Sequence, residues 1–326
     1  MPRYRLSRHL ASVLALTTLV TLAACGSPDD EPAALAADPS GSAAAVINTS
    51  PDQKRIRAQK VDAVAAKVPP TIGAGGKLRV GISAEGSPPL AFRADDDRTL
   101  IGVEADIAQL VADVLGLELD LQPTSWENLF LVVRSGQNDV GFSNITVTEE
   151  RKDIYDFATY RVDSLGWEVK ADGKVSKIEK PADIAGLNVS VGSGTNQEQV
   201  LLRWDAQNKA AGLAPVNITY YQNPADYQLA LLSGRIDAYF GPNPALAYHV
   251  AVSGKTRIVG IVPGGGEVPA QIAAMTKKGN GFVEALNDAL NTVIKDGSYA
   301  RVLSRWGLGS EAIPAAQINP PGLPRK

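Results

Sequence analysis

The chain has 326 residues, 44% of them hydrophobic, with 32 basic against 35 acidic residues and a net charge of −3. Mild acidity without a cluster of Lys and Arg argues against nucleic acid as the main partner, because phosphate binding concentrates basic residues on one face. A single cysteine leaves no internal disulfide, and two histidines, His9 and His249, leave little for zinc or a Ser-His-Asp centre, so no metal or cofactor is expected.

Arg3, Arg5 and Arg8, with no acid among them, precede an apolar stretch from Leu10 to Ala24, the order of a secretory signal peptide. Leu22, Ala23 and Ala24 lead into Cys25, and this order resembles a bacterial lipoprotein signal. Such a signal is cleaved before the cysteine, whose sulfur then carries a diacylglyceryl group. The plainer alternative is an uncleaved anchor helix, for which a run of about 15 residues is short against the ~20 that span a bilayer. Without residues 1–24 the basic count falls from 32 to 29 against 35 acids, a net of −6.

Residues 26–50 are rich in Ala, Ser, Pro, Asp and Gly and carry no apolar stripe, so they read as a flexible stalk. Residues 51–67 could form a short helix, ended by Pro69, Pro70 and the glycines at 73, 75 and 76, which puts the start of the folded body near Lys77. From there strands and amphipathic helices alternate. Leu78, Val80 and Ile82 make a strand; Val103, Ile107, Leu110, Val111 and Val114 fall at helical spacing; Leu117, Leu119 and Leu121 alternate again. Leu129, Phe130 and Val133 mark another helix, and residues 140–143 a short strand. After a polar loop at 171–180 the rhythm restarts, with strands at 188–191, 218–221 and 238–240 between helices that begin at Thr195 and Asp226. A strand at 272–275 and two helices split at Gly297 finish the body. This is an α/β chain with a largely parallel sheet and two lobes.

Thr148 is placed to cap a helix whose first turn holds Glu149 and Glu150, and Arg151 breaks the dipole logic of that turn. A cleft-facing guanidinium there suits a bidentate carboxylate, and a solvated arginine in a mixed charge run is the equal alternative. In Gly192-Ser193-Gly194-Thr195-Asn196-Gln197-Glu198, residues Thr195 and Glu198 have capping-box spacing, and the helix start offers N–H groups to an anion. Read alone, this run is a plain capped helix. Asp95, Asp96 and Asp97, bracketed by Arg93 and Arg98, read as a solvated turn rather than a metal or catalytic site. Trp126 is either core or an aromatic wall.

The run LRVGISAEGSPPLAF (78–92), the run 101–160 from IGVEADIAQL to DIYDFATY, ADIAGLNVSVGSGTNQEQV (182–200), LLSGRIDAYFGPNPALAY (231–248) and VEALNDALNTVIKDGSYARVLSRWGL (283–308) together resemble the polar amino-acid-binding proteins of bacterial ABC importers, solute-binding family 3. The resemblance covers about residues 76–308 and implies an α/β, two-lobed periplasmic-binding-protein-like (type II) fold with two crossover strands and a cleft between the lobes. It implies residues 1–24 as lipoprotein signal peptide, 25–75 as lipidated cysteine and flexible stalk, 76–170 plus 271–310 as one lobe, 171–270 as the other, and 311–326 as an irregular tail.

Carried over by position, the resemblance gives Arg151 and Thr146 the ligand carboxylate and Asn144 a backbone contact. It makes Trp126 an aromatic wall and gives Thr195 and Asn196 the carboxylate from the second lobe. Two positions depart from the family. Where it has an aspartate for the ligand ammonium this chain has Pro242, and where many members carry a stacking aromatic it has Gly86 and Ser87, with Glu85 nearby. Glu85, Ser87 and Asn243 are therefore the candidates to complete the site, with Glu85 holding an amine. The implied function is an extracytoplasmic, lipid-anchored, monomeric receptor that captures a small carboxylate-bearing solute by cleft closure and delivers it to a permease without turnover. A dehydratase-like enzyme or a sensor on the same scaffold are the alternatives.

Overall fold

The computed structural model describes residues 47–83 and 85–325. The expected signal segment, Cys25 and the inner part of the expected stalk lie outside the described residues.

Leu78, Val80 and Ile82 are fully buried on β1 (Lys77–Ser83), which pairs in parallel with β4 (Glu118–Thr124) and β5 (Val140–Gly141). A hairpin of β2 (Phe92–Arg93) and β3 (Leu100–Ile101) turns at Asp96, which accepts from Arg98 N, Thr99 N and Thr99 Oγ1. The apolar stripe of α2 (Val103–Leu115) is buried against α7 (Val283–Lys295) and α8 (Ser298–Arg305). On α3 (Trp126–Ser135), Leu129 and Val133 face β5 and β11 (Ala270–Lys277), which runs antiparallel to β5.

In the second lobe β7 (Asn188–Val191) lies in parallel between β8 (Asn217–Tyr220) and β9 (Ala238–Pro242). The helices α4 (Asn196–Ala210), α5 (Pro224–Leu232) and α6 (Asn243–Ser253) follow β7, β8 and β9 in turn, the alternation of a wound α/β unit. Its core is built around Trp167, whose ring stacks on Phe240 at 3.9 Å and on Trp204 at 5.6 Å.

One long strand joins the lobes. From Tyr155 to Asp163, β6 (Tyr155–Lys170) pairs with β11; from Ser164 onward it pairs with β10 (Thr256–Pro263), and over Leu165–Glu168 also with β9. The chain returns through residues 264–269 into β11, giving the two crossings. Gly264 is required by close approach, since a Cβ there would lie 2.3 Å from Asp163 Oδ2.

Two expectations need correction. Residues 47–75 are not a free stalk: Ile47, Ile56, Val61, Val68 and Ile72 pack on the first lobe, and Arg57 forms a two-pronged ion pair with Asp113 at 2.8 and 2.5 Å. Within 51–67 only α1 (Asp62–Ala65) is helical, because its apolar residues are satisfied by the lobe instead of by a helix of their own. The tail after residue 311 forms no long element but is docked, with Ile313, Ala316 and Leu323 buried and Asn319 Nδ2 donating to Asp156 at 2.9 Å.

Candidate functional site

A cavity of about 350 Å³ opens between the lobes. Of the expected site residues, Glu85, Ser87, Trp126, Asn144, Thr195 and Asn196 line it, as does Pro242. Thr146, Arg151 and Asn243 are not lining residues. Each has a physical reason for its place.

Thr146 is fully buried and donates its hydroxyl to Asp163 Oδ2 at 2.8 Å. The side chain of Asn196, from the second lobe, donates to the same oxygen at 2.8 Å and to Gly264 O at 2.8 Å. Two of the four side chains expected to meet the ligand carboxylate thus already hold a carboxylate of the chain itself, at the point where β6 changes partners. Burial pushes the Asp163 carboxyl up to about 6; the Thr146 bond, Arg161 and Asn196 oppose this shift, and Glu311 adds to it.

Beside Asp163, the buried Arg161 pairs with Glu104 at 2.6 Å, pairs with Glu311 from the tail, and donates to Asn144 Oδ1 at 2.6 Å. Burial opposes its charge, and Glu104 and Glu311 outweigh that and raise its pKa. Ser164 adds a bond to Glu311 at 2.7 Å, and Tyr160 donates to Glu104. Asn144 sits in the left-handed region at φ 52°, with its side chain turned to Arg161. These residues form the floor of the cleft.

Arg151 follows Thr148, whose hydroxyl accepts from Arg151 N at 3.1 Å, but the expected helix is a single 3-10 turn over Arg151–Asp153. Its guanidinium carbon lies 5.4 Å from the Trp126 ring centroid and 4.9 Å from that of Phe130, and burial pushes its pKa down to about 10 while Asp163, Glu150 and Tyr155 pull it back. Nη1 donates to Thr146 O at 2.7 Å and Nη2 to Gly194 O in the second lobe at 3.0 Å. Two of five N–H donors are engaged, leaving three for another acceptor.

The start of α4 is capped as its sequence directs. Thr195 accepts from Glu198 N at 3.2 Å, and the Glu198 carboxylate reaches Gly194 N at 2.8 Å, one residue before the position a strict capping box uses. The N–H groups of Asn196 and Gln197 have no intrahelical carbonyl and lie at the positive end of α4. On the first lobe, Ser125 caps α3, accepting from Asn128 N at 3.3 Å, one residue after Thr124. This leaves Glu127 in the first turn, where it accepts from Gln222 of the other lobe at 2.9 Å. Asn243 opens α6, and its Oδ1 is buried without a hydrogen-bond partner.

Sequence reasoning missed Asp163 and Arg161, and it missed the lining residues Glu104, Glu127, Gln197, Tyr221 and Tyr239. A signal for the first pair was present: Arg161, Asp163 and Glu168 interrupt an aromatic and apolar run, YDFATYRVDSLGWEV, of the kind that is buried on both faces.

A family model for bacterial extracellular solute-binding proteins, family 3, matches residues 78–309. The chain is 34% identical over 235 residues to the L-cystine-binding protein TcyJ of Escherichia coli K12, covering 71% of this chain and 82% of that one. It is 29% identical over 265 residues to the arginine-binding protein ArgT of Corynebacterium glutamicum, covering 79% and 83%. An ancestral arginine-binding protein solved with arginine superposes with a TM-score of 0.62 at 28% identity, covering 71% of this chain and 98% of that structure.

Proposed function

The chain belongs to the bacterial extracellular solute-binding proteins of family 3, and we propose that it captures a free amino acid for an ABC importer. The carrying observation is a small-molecule-sized cavity between two lobes whose donors are left open on both sides. These are the N–H groups at the start of α4 on one lobe and, on the other, the remaining donors of Arg151, which does not line the cavity itself but lies beside the lining ring of Trp126. A carboxylate held by both lobes exists only when they are closed, so binding and closure favour each other. Its relatives TcyJ, a cystine-binding protein, and ArgT, an arginine-binding protein, support an amino acid as the ligand class. Capture without turnover is the proposed role. Sustained conversion of a bound ligand, followed by mass spectrometry, would contradict it.

Receptors of this family work outside the cytoplasm. We propose in addition a signal peptide over residues 1–24, a diacylglyceryl anchor on Cys25, a monomeric body, and a membrane permease as the protein partner. Replacing Cys25 with Ser should move the chain from the membrane fraction to the soluble fraction and leave solute binding intact.

A thermal-shift panel of the twenty amino acids and cystine tests the reading. A ligand at 100 times its dissociation constant adds about 2.7 kcal/mol of apparent stability. If no amino acid raises the melting temperature, capture of an amino acid is wrong.

A further inference from the structure

We infer that the captured amino acid carries a cationic side group in addition to its α-amino and carboxylate groups; this inference rests on the amino-acid reading above. No Lys, Arg or His is among the described residues that line the cavity, whereas Glu85, Glu104 and Glu127 are. These three carboxylates are not equivalent. Glu104 is neutralised by Arg161 at 2.6 Å and accepts from Tyr160. Glu127 has only the neutral amide of Gln222, at 2.9 Å, and no cation pairs with it among the described residues. Glu85, exposed at the rim, has no hydrogen bond or ion pair among the described residues.

A second observation points to a donor on the ligand. Gln197 lines the same cavity, is only 6% exposed, and its Oε1 is buried without a hydrogen-bond partner. An orphaned buried acceptor is costly unless something donates to it. Trp126 and Tyr221 add ring faces to the lining, and such faces attract cations.

Charge balance turns these observations into a ligand class. Around the cleft stand the cations Arg151 and Arg161 and the carboxylates Glu85, Glu104, Glu127, Asp163, Glu198 and Glu311, with Glu168 paired to His249 beyond Tyr239. Glu85 and Glu127 are exposed at the cleft, and a zwitterion with a neutral side chain leaves this surplus of negative charge without a cation. A ligand of net charge +1 relieves it. Its carboxylate suits the Arg151 side. Its α-ammonium takes one unpaired acceptor of the lining, and a terminal ammonium or guanidinium takes another.

The test needs no variant at first. Arginine and citrulline differ by the replacement of a guanidinium with a neutral urea of nearly the same shape, so their dissociation constants from calorimetry with the full chain isolate the charge. Arginine should bind at least about tenfold tighter, the worth of one charge-assisted contact, and lysine should exceed norleucine in the same sense. Glu85→Gln and Glu127→Gln should each shrink the arginine-to-citrulline ratio. Equal binding of the two, or tighter binding of neutral or acidic amino acids, would overturn the cationic class while leaving amino-acid capture standing. Absence of binding by every amino acid would overturn both.

Discussion

At the floor of the cleft Arg161, Glu104, Glu311, Asp163, Thr146 and Asn196 pair with one another, although Arg161 Nε has no partner; along its lining Glu85 and the Gln197 Oε1 lack partners, and Glu127 has only a neutral one. The floor residues sit where β6 passes from β11 to β10, so their bonds tie both lobes and the tail to one strand. The lining residues sit at the first turns of α3 and α4 and in the loop after β1, where side chains project into open space. The difference teaches how to read polar residues in a cleft. Burial with full pairing marks a part that holds shape, and missing pairing marks a part that waits for a ligand.

The comparison breaks first if the floor turns out to be dispensable. Replacing Arg161 with Met leaves Glu104 and Glu311 buried without their cation and should remove about 3 to 5 kcal/mol of stability, read from the denaturant midpoint. An unchanged midpoint would mean that the floor does not hold the lobes.

Asp163 gives a pH signature of the same region. Its carboxyl is raised to about 6 by burial, against about 3.9 in an unfolded chain. Between these values the folded state binds the extra proton, so stability falls as pH rises through the window and recovers as pH drops. The full span is on the order of 2 to 3 kcal/mol. Asp163→Asn should flatten the melting temperature between about pH 6.5 and 4, and a variant with the parent's slope would remove Asp163 as the cause.

Arg151, beside the lining ring of Trp126, should respond to ligand instead. Arg151→Ala removes the donors beside Trp126 and should weaken ligand binding by about 1.5 to 3 kcal/mol, roughly 10- to 150-fold, in calorimetry. Wild-type affinity in that variant would assign Arg151 to bridging Thr146 and Gly194 alone.

The division between floor and lining also explains what the amino-acid pattern reveals. Helices with one buried face, such as α2, and strands with one clean alternation, such as β1, were legible. So was the capped start of α4, since cap chemistry is local, whereas Trp126 and Glu85 were placed in the site only through the family resemblance. β6 was not, because both its faces are buried and its charged residues remove the period-2 signal. The roles of Thr146 and Asn196 were hidden for a related reason: their partner Asp163 is 17 and 33 residues away, a distance that no local spacing encodes. The docking of residues 47–75 was missed because isolated apolar residues in an extended segment carry no period to detect.

One measurement sets the two regions side by side: the melting temperature with and without saturating arginine for the parent chain, Glu311→Gln and Glu127→Gln. Glu311 lies at the floor and does not line the cavity, so its variant should melt lower without ligand and keep the ligand-induced rise. Glu127 lines the cavity, so its variant should melt as the parent does without ligand and show a smaller rise. The reverse pattern, a lost ligand response in Glu311→Gln with an intact one in Glu127→Gln, would contradict the division of the cleft into a structural floor and a binding lining.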